Sequence, residues 1–257
     1  HQVVRRQRQM CIRDRIDYRS GRKHDMQAII AKAHSVGATV VWDLAHSIGA
    51  LPVDVAGTDA DFAVGCTYKY LNAGPGAPAF IYVAPRLLDT VQPALSGWFG
   101  HAAPFDFDLN FRPMPNKIDR MRIGTPSIAT FSLLGAALDI WDHVDMHDLQ
   151  AASIELSEAF IQEIEERCPD LKLASPRDAN QRGSHVSFEF EHGYACMQAL
   201  ISEGVIGDFR APNIMRFGIT PLFLNLTDIK QAVLVLEKIL ATKAWAKPEF
   251  QKRALVT

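Results

Sequence analysis

From Ile16 onward, short apolar runs alternate with stretches of helical period. Asp25 to Val36 predicts a helix that stops at Gly37, and Ala38 to Trp42 is a short, β-rich apolar run behind it. Phe62 to Cys66 predicts a second strand, followed by a polar loop around Lys69, and Phe80 to Val83 predicts a third. None of these runs shows the two-residue alternation of a half-exposed strand. Short buried strands interleaved with helices predict an α/β layer with a mostly parallel sheet. In such sheets ligands collect where strands end.

The pattern loosens after residue 84. Gly97 to Ile123, rich in Pro, Phe and Asn, is too long for an ordinary connection and is a candidate functional loop. Ser127 to His143 then predicts a long helix with small residues on one side, and Leu149 to Glu166 is strongly amphipathic. His185 to Phe190 alternates as a strand, Tyr194 to Glu203 is helical, Met215 to Ile219 is a strand, and Asp228 to Ala241 is a final helix. This succession predicts a smaller α+β domain over 146–257, after part of a larger sheet domain over 16–145. Residues 1–15 show no helical or strand period and read as an unrelated or disordered leader.

Composition narrows the classes. Hydrophobic residues make up 48% and charged residues 22%, the balance of a folded globular chain rather than a disordered one. The formal net charge of -2 hides a leader with Arg5, Arg6, Arg8, Arg13 and Arg15 against Asp14 alone. The rest of the chain is therefore mildly acidic and carries no basic stripe, so nucleic acid is not an expected partner. No apolar run is long enough to span a bilayer, and a cytoplasmic protein is the expectation. The 4 cysteines form no C-x-x-C pair, so neither a metal site nor a disulfide framework is expected, and the thiols read as reduced.

The chemistry concentrates at strand ends. Asp43 directly follows Val40-Val41-Trp42, which puts its carboxylate at a strand tip, and His46 lies close behind it. Asp43 as a helix cap is the plain alternative. Lys69 stands in Cys66-Thr67-Tyr68-Lys69-Tyr70-Leu71-Asn72-Ala73-Gly74-Pro75-Gly76, between two tyrosines and ahead of a Gly-Pro-Gly turn, an unusual setting for a solvated surface lysine. An amine held there can condense with an aldehyde cofactor, while a carboxylate on the neighbouring strand pairs with a pyridinium nitrogen and keeps it protonated. Those are the two anchor points that pyridoxal 5'-phosphate needs.

Three segments together resemble the kynureninases, fold-type I pyridoxal phosphate enzymes: Trp42-Asp43-Leu44-Ala45-His46-Ser47-Ile48-Gly49-Ala50, the Lys69 segment just quoted, and Ser96-Gly97-Trp98-Phe99-Gly100-His101. The resemblance runs from about Ile16 to the last helix. It implies a fold-type I transferase-like α/β architecture, consisting of the C-terminal part of the large domain and a small C-terminal α+β domain. It also implies hydrolysis of L-kynurenine, or 3-hydroxykynurenine, to anthranilate (or 3-hydroxyanthranilate) and L-alanine. On this likeness Lys69 matches the lysine that holds the cofactor covalently and moves protons, and Asp43 matches the pyridinium partner. His46 and Tyr68 match cofactor-site residues, the tyrosine contacting the phosphate and, as a catalytic residue beside Lys69, shuttling protons. Trp98 and Thr125, the latter in Arg122-Ile123-Gly124-Thr125-Pro126, match residues that complete the cofactor site from a neighbouring subunit, which implies a homodimer. Arg216 matches the arginine that grips the substrate carboxylate, with Arg210 as runner-up, and His101 is left outside the set.

The sequence also departs from that family. The resemblance would place the phosphate-binding threonines, the ring-stacking aromatic and a second acid in an N-terminal third that this chain lacks. The expectation is a truncated chain with an unrelated extension at residues 1–15. A cysteine desulfurase-like lyase is the alternative enzyme, although that group usually carries His where Tyr68 stands before Lys69. An inactive fragment is the alternative of a different class.

Overall fold

The computed structural model describes residues 10–115 and 117–252. They fall into two compact units, divided near residue 142 but with Arg15–His24 and His46–Pro52 belonging to the second. Among the described residues the strands form two four-stranded sheets.

The first unit is built on the sheet β1 (Met10–Asp14), β2 (Thr39–Asp43), β3 (Phe62–Cys66) and β4 (Ala79–Val83), in that order. The first three strands run parallel and β4 is antiparallel to β3. Between β1 and β2 the chain makes the helix α1 (Met26–Ser35), started by Asp25, whose side chain accepts from Ala28 N–H at 3.0 Å. A helix in the crossover is what parallel neighbours require. Met26 and Ile30 of α1 pack with Val40, Trp42 and Leu44 in one apolar cluster, and Val40 and Trp42 are wholly buried. At the base of these strands Asp61 is buried. It accepts from Val40 N–H at 2.8 Å, pairs with His34 Nε2 at 3.0 Å and accepts from Arg86 Nη2 at 2.8 Å.

The expected leader is in part a strand. Residues 1–9 of the expected leader lie outside the described residues, but Met10–Asp14 is a sheet strand, paired residue for residue with β2 from Met10↔Thr39 to Asp14↔Asp43. The arginine-rich stretch it belongs to, without a local period, hid it, because strand pairing satisfies the backbone whatever the side chains are. Arg15, the last residue of the expected leader, donates from Nη1 to Pro52 O at 2.9 Å.

The first unit ends with α2 (Ile128–Trp141), where the expected 127–143 helix lies. Its Trp141 Nε1–H donates to Leu71 O at 3.4 Å, in the loop that carries Lys69. Several of its apolar side chains, among them Ile128, Phe131, Leu133 and Ile140, are exposed.

The second unit holds the sheet β5 (Lys172–Leu173), β6 (His185–Glu189), β8 (Ile214–Gly218) and β7 (Asp208–Arg210), ordered β5-β6-β8-β7 and antiparallel throughout. Helices α3 (Met146–Arg167), α4 (Gly193–Ser202) and α5 (Leu226–Thr242) supply the rest of its core. Phe160 of α3 meets Phe217 and Phe188 edge-on at 5.1 and 6.1 Å, an arrangement that aromatic quadrupoles favour. Cys168 and Cys196 lie in this core, and burial pushes their thiols up to about 11 and about 12, so they stay protonated.

Candidate active site

Asp43 is the last residue of β2, as the sequence implied, and lies in register with Val64 of β3. Its Oδ1 accepts from Ala45 N–H at 2.8 Å, which orients the carboxylate at the strand tip. No helix follows it, so the helix-cap alternative falls. Because β2 and β3 are adjacent and parallel, the chain leaving β3 at Cys66 emerges at the same end of the sheet.

The exit loop is tightly made. Thr67 is buried and donates from Oγ1 to Pro78 O at 2.6 Å, while Ala73 N–H returns to Thr67 O at 3.1 Å and Asn72 N–H to Lys69 O at 3.0 Å. Asn72 and Gly74 adopt positive φ of 59° and 80°, a conformation glycine takes at no steric cost. Lys69 is half-buried in this turn, with Nζ 5.7 Å from the ring centre of Tyr68, which is half-exposed.

Trp98 opens a 3-10 turn, Trp98–Gly100, and its ring lies edge-on to Phe99 and Phe105 at 4.6 and 5.8 Å. The glycines around it have a steric reason. A Cβ on Gly97 would stand 1.7 Å from Ile123 O, and one on Gly100 would stand 2.7 Å from Arg122 O. The backbone leading to Thr125 therefore presses directly on the Trp98 turn, joining two segments that the sequence only suggested were related. Thr125 itself is exposed, and Ser127 rather than Thr125 occupies the N-cap of α2. Trp98, His101, Phe107 and Phe111 line a cleft of about 590 Å3. His101 is buried, with Nδ1 accepting from Ala103 N–H at 3.0 Å and Nε2 3.3 Å from Asn110 O.

His46 and Arg216 belong to the second unit. The His46 ring lies 5.7 Å from that of buried His185. Arg216, on β8, is buried, donates from Nε to Asp208 Oδ1 at 2.8 Å and from Nη2 to Asp208 Oδ2, and gives Nη1 to Tyr18 O at 2.6 Å. Arg210, the runner-up, is partly exposed and shares the same Asp208 at 3.3 Å.

A curated kynureninase from Pseudomonas fluorescens is 48% identical over 244 residues, 94% of this chain and 58% of that protein. Residues 149–236 also match the family model described as the kynureninase C-terminal domain. The chain is a relative of the kynureninases. It spans 58% of the length of the curated relatives it matches. Among solved structures, a cysteine desulfurase from Thermococcus onnurineus NA1 superposes with a TM-score of 0.79 at 18% identity, covering 91% of this chain and 60% of that one. The cystine C-S lyase C-DES, solved with glycine linked covalently to its PLP cofactor, gives 0.76 at 17% identity over 89% and 60%. At such identities the likeness shows the fold, which is the expected fold-type I α/β architecture.

Sequence reasoning missed two residues that hold the expected site segments in place. One is Asp208, whose only sequence signal was the charged Asp208-Phe209-Arg210 alternation before the Ile214–Gly218 strand. The other is Arg120, which is buried and donates to Met114 O at 2.9 Å, Val91 O at 2.9 Å and Asp89 O at 3.3 Å, tying down the loop beside Trp98.

Proposed function

We propose that this chain carries the lysine-bearing portion of a pyridoxal phosphate-dependent site that hydrolyses L-kynurenine or its 3-hydroxy form. The observation that carries this reading is the placement of Asp43 and the Lys69 loop at the same end of two neighbouring parallel strands. An oriented carboxylate and a half-buried amine are the donor set that the pyridinium nitrogen and the aldehyde of this cofactor require, so the residues present fit the group. When bound, the cofactor withdraws electrons from the substrate's α-carbon. Asp43 holds the proton on the ring nitrogen. Lys69 accepts and returns protons at the α-carbon, a task that needs its amine partly withdrawn from water. Tyr68, beside it, meets the phosphate, and His46 completes the cofactor site. Arg216 holds the substrate carboxylate and fixes its orientation. Water then cleaves the bond between the γ-carbonyl and the β-carbon, releasing anthranilate and L-alanine.

The same reading makes the working unit a cytoplasmic homodimer in which Trp98 and Thr125 complete the partner's site. The close packing of Gly97 and Gly100 on residues 120–123 supports their acting together. The unpaired Cys66, Cys168 and Cys196 suit a reducing compartment. Among the described residues no helix is long and apolar enough to cross a membrane.

The test is to incubate the purified chain with pyridoxal phosphate, reduce with borohydride and map the pyridoxyl group by mass spectrometry. Labelling concentrated on Lys69 and abolished by Lys69→Ala is expected, with turnover of kynurenine but not cysteine. Label scattered over surface lysines, or cleavage of cysteine instead, would overturn the reading.

A further inference from the structure

We propose that Asp208 is the positioning residue for an α-amino-acid carboxylate site at Arg216; this rests on the carboxylate role assigned to Arg216 above. A guanidinium has five N–H donors in a fixed plane. In the second unit Asp208 takes the Nε edge through both of its oxygens, at 2.8 Å for Nε to Oδ1 and through Oδ2 to Nη2, while Tyr18 O takes one Nη1 proton at 2.6 Å. Two N–H groups are left, one on each Nη. Those two can each donate to an oxygen of a carboxylate.

The placement is built into the fold rather than into flexible side chains. Asp208 and Arg216 are direct partners in the antiparallel register of β7 and β8, so the sheet itself brings the two side chains together. Arg216 is buried, and a buried guanidinium without a partner would be costly. Asp208 therefore does two things. It supplies the counter-charge that lets Arg216 stay buried before substrate arrives, and it removes the rotational freedom of a long side chain in advance. Arg210 Nη2 lies 3.3 Å from Asp208 Oδ2, the same oxygen that takes Arg216 Nη2, and so braces that carboxylate. This separates the two arginines that the sequence left as rivals: the buried one is aimed by Asp208, and the partly exposed one braces Asp208.

Two measurements on the full chain test the proposal. The first compares binding of L-kynurenine with binding of kynuramine, which keeps the aromatic ketone and the amine but lacks the carboxylate. The wild-type preference for kynurenine should fall about tenfold or more in Asp208→Ala, because the fork must then be ordered on binding, and Asp208→Asn, which retains one acceptor, should restore part of it. The second needs no ligand: the Arg216 Nε–H proton, observed by 15N NMR, should be protected from exchange in wild type and unprotected in Asp208→Ala. An unchanged preference in Asp208→Ala, a tighter kynurenine site in that variant, or an Arg216 Nε–H already unprotected in wild type would each overturn the proposal, the second by showing that Asp208 competes with substrate. Loss of lysine labelling with Arg216 Nε–H still protected by Asp208 would instead count against the functional reading and support the positioning.

Discussion

Replacing Asp61 with alanine removes the acceptor on which three elements of the first unit converge. Its carboxylate takes Val40 N–H at the start of β2, His34 from the end of α1, and Arg86 from the turn after β4. A net hydrogen bond to a charged group is worth about 1.5 to 3 kcal/mol, and removing one partner of a buried ionic network costs about 3 to 5 kcal/mol. Arg86 keeps Asp59 Oδ1 at 3.1 Å and is partly exposed, so it loses little; Val40 N–H, fully enclosed, loses most. The low end, about 3 kcal/mol, is therefore expected. Asp61→Asn, which keeps one carbonyl acceptor, should cost about half as much.

The effect has a pH signature. The Asp61 carboxyl is held below its ordinary value by the Val40 N–H bond and by His34 and Arg86, which outweigh the opposing effect of burial. A carboxyl depressed in the folded state contributes stability that is fully present above its unfolded value of about 4 and fades as pH falls through the lower folded value. The gap between wild type and Asp61→Ala should therefore be widest near neutral pH and close in acid. Urea titration followed by tryptophan fluorescence, since Trp42 lies in this core, reads the free energy, and amide exchange at Val40 reads the bond itself. A loss under about 1 kcal/mol near neutral pH, the range of exposed ion pairs, or a gap that widens in acid, would refute the reasoning.

Gly97→Ala should disorder the Trp98 turn, because the new Cβ meets the Ile123 backbone, whereas Gly124→Ala, with nothing within 4 Å, should be silent; limited proteolysis between residues 97 and 123 distinguishes them. Phe160→Ala should destabilise the second unit by about 3 to 5 kcal/mol, through lost contacts with Phe188 and Phe217, measured by thermal unfolding with the Trp42 environment of the first unit as an internal control.

Much of the architecture is readable locally. Asp25 before an apolar helical period, Gly37 after it, and the runs around Val40, Phe62 and Phe80 each carry their own signal within a few residues, and the structure places α1, β2, β3 and β4 on them. The Asp43 and Lys69 positions follow from the same logic, since an element's end is a local property. What the sequence could not show is pairing. β1 reads as a charged leader because its stability comes from β2, a neighbour 29 residues away in register, and strand pairing is indifferent to local periodicity. The convergence of Val40, His34 and Arg86 on Asp61, the press of Ile123 on Gly97, and the bond from Arg216 to Tyr18 O join residues distant in sequence. Chemistry at strand tips was written in the order of residues; the partners that aim and restrain it were decided by which backbones the fold brought side by side.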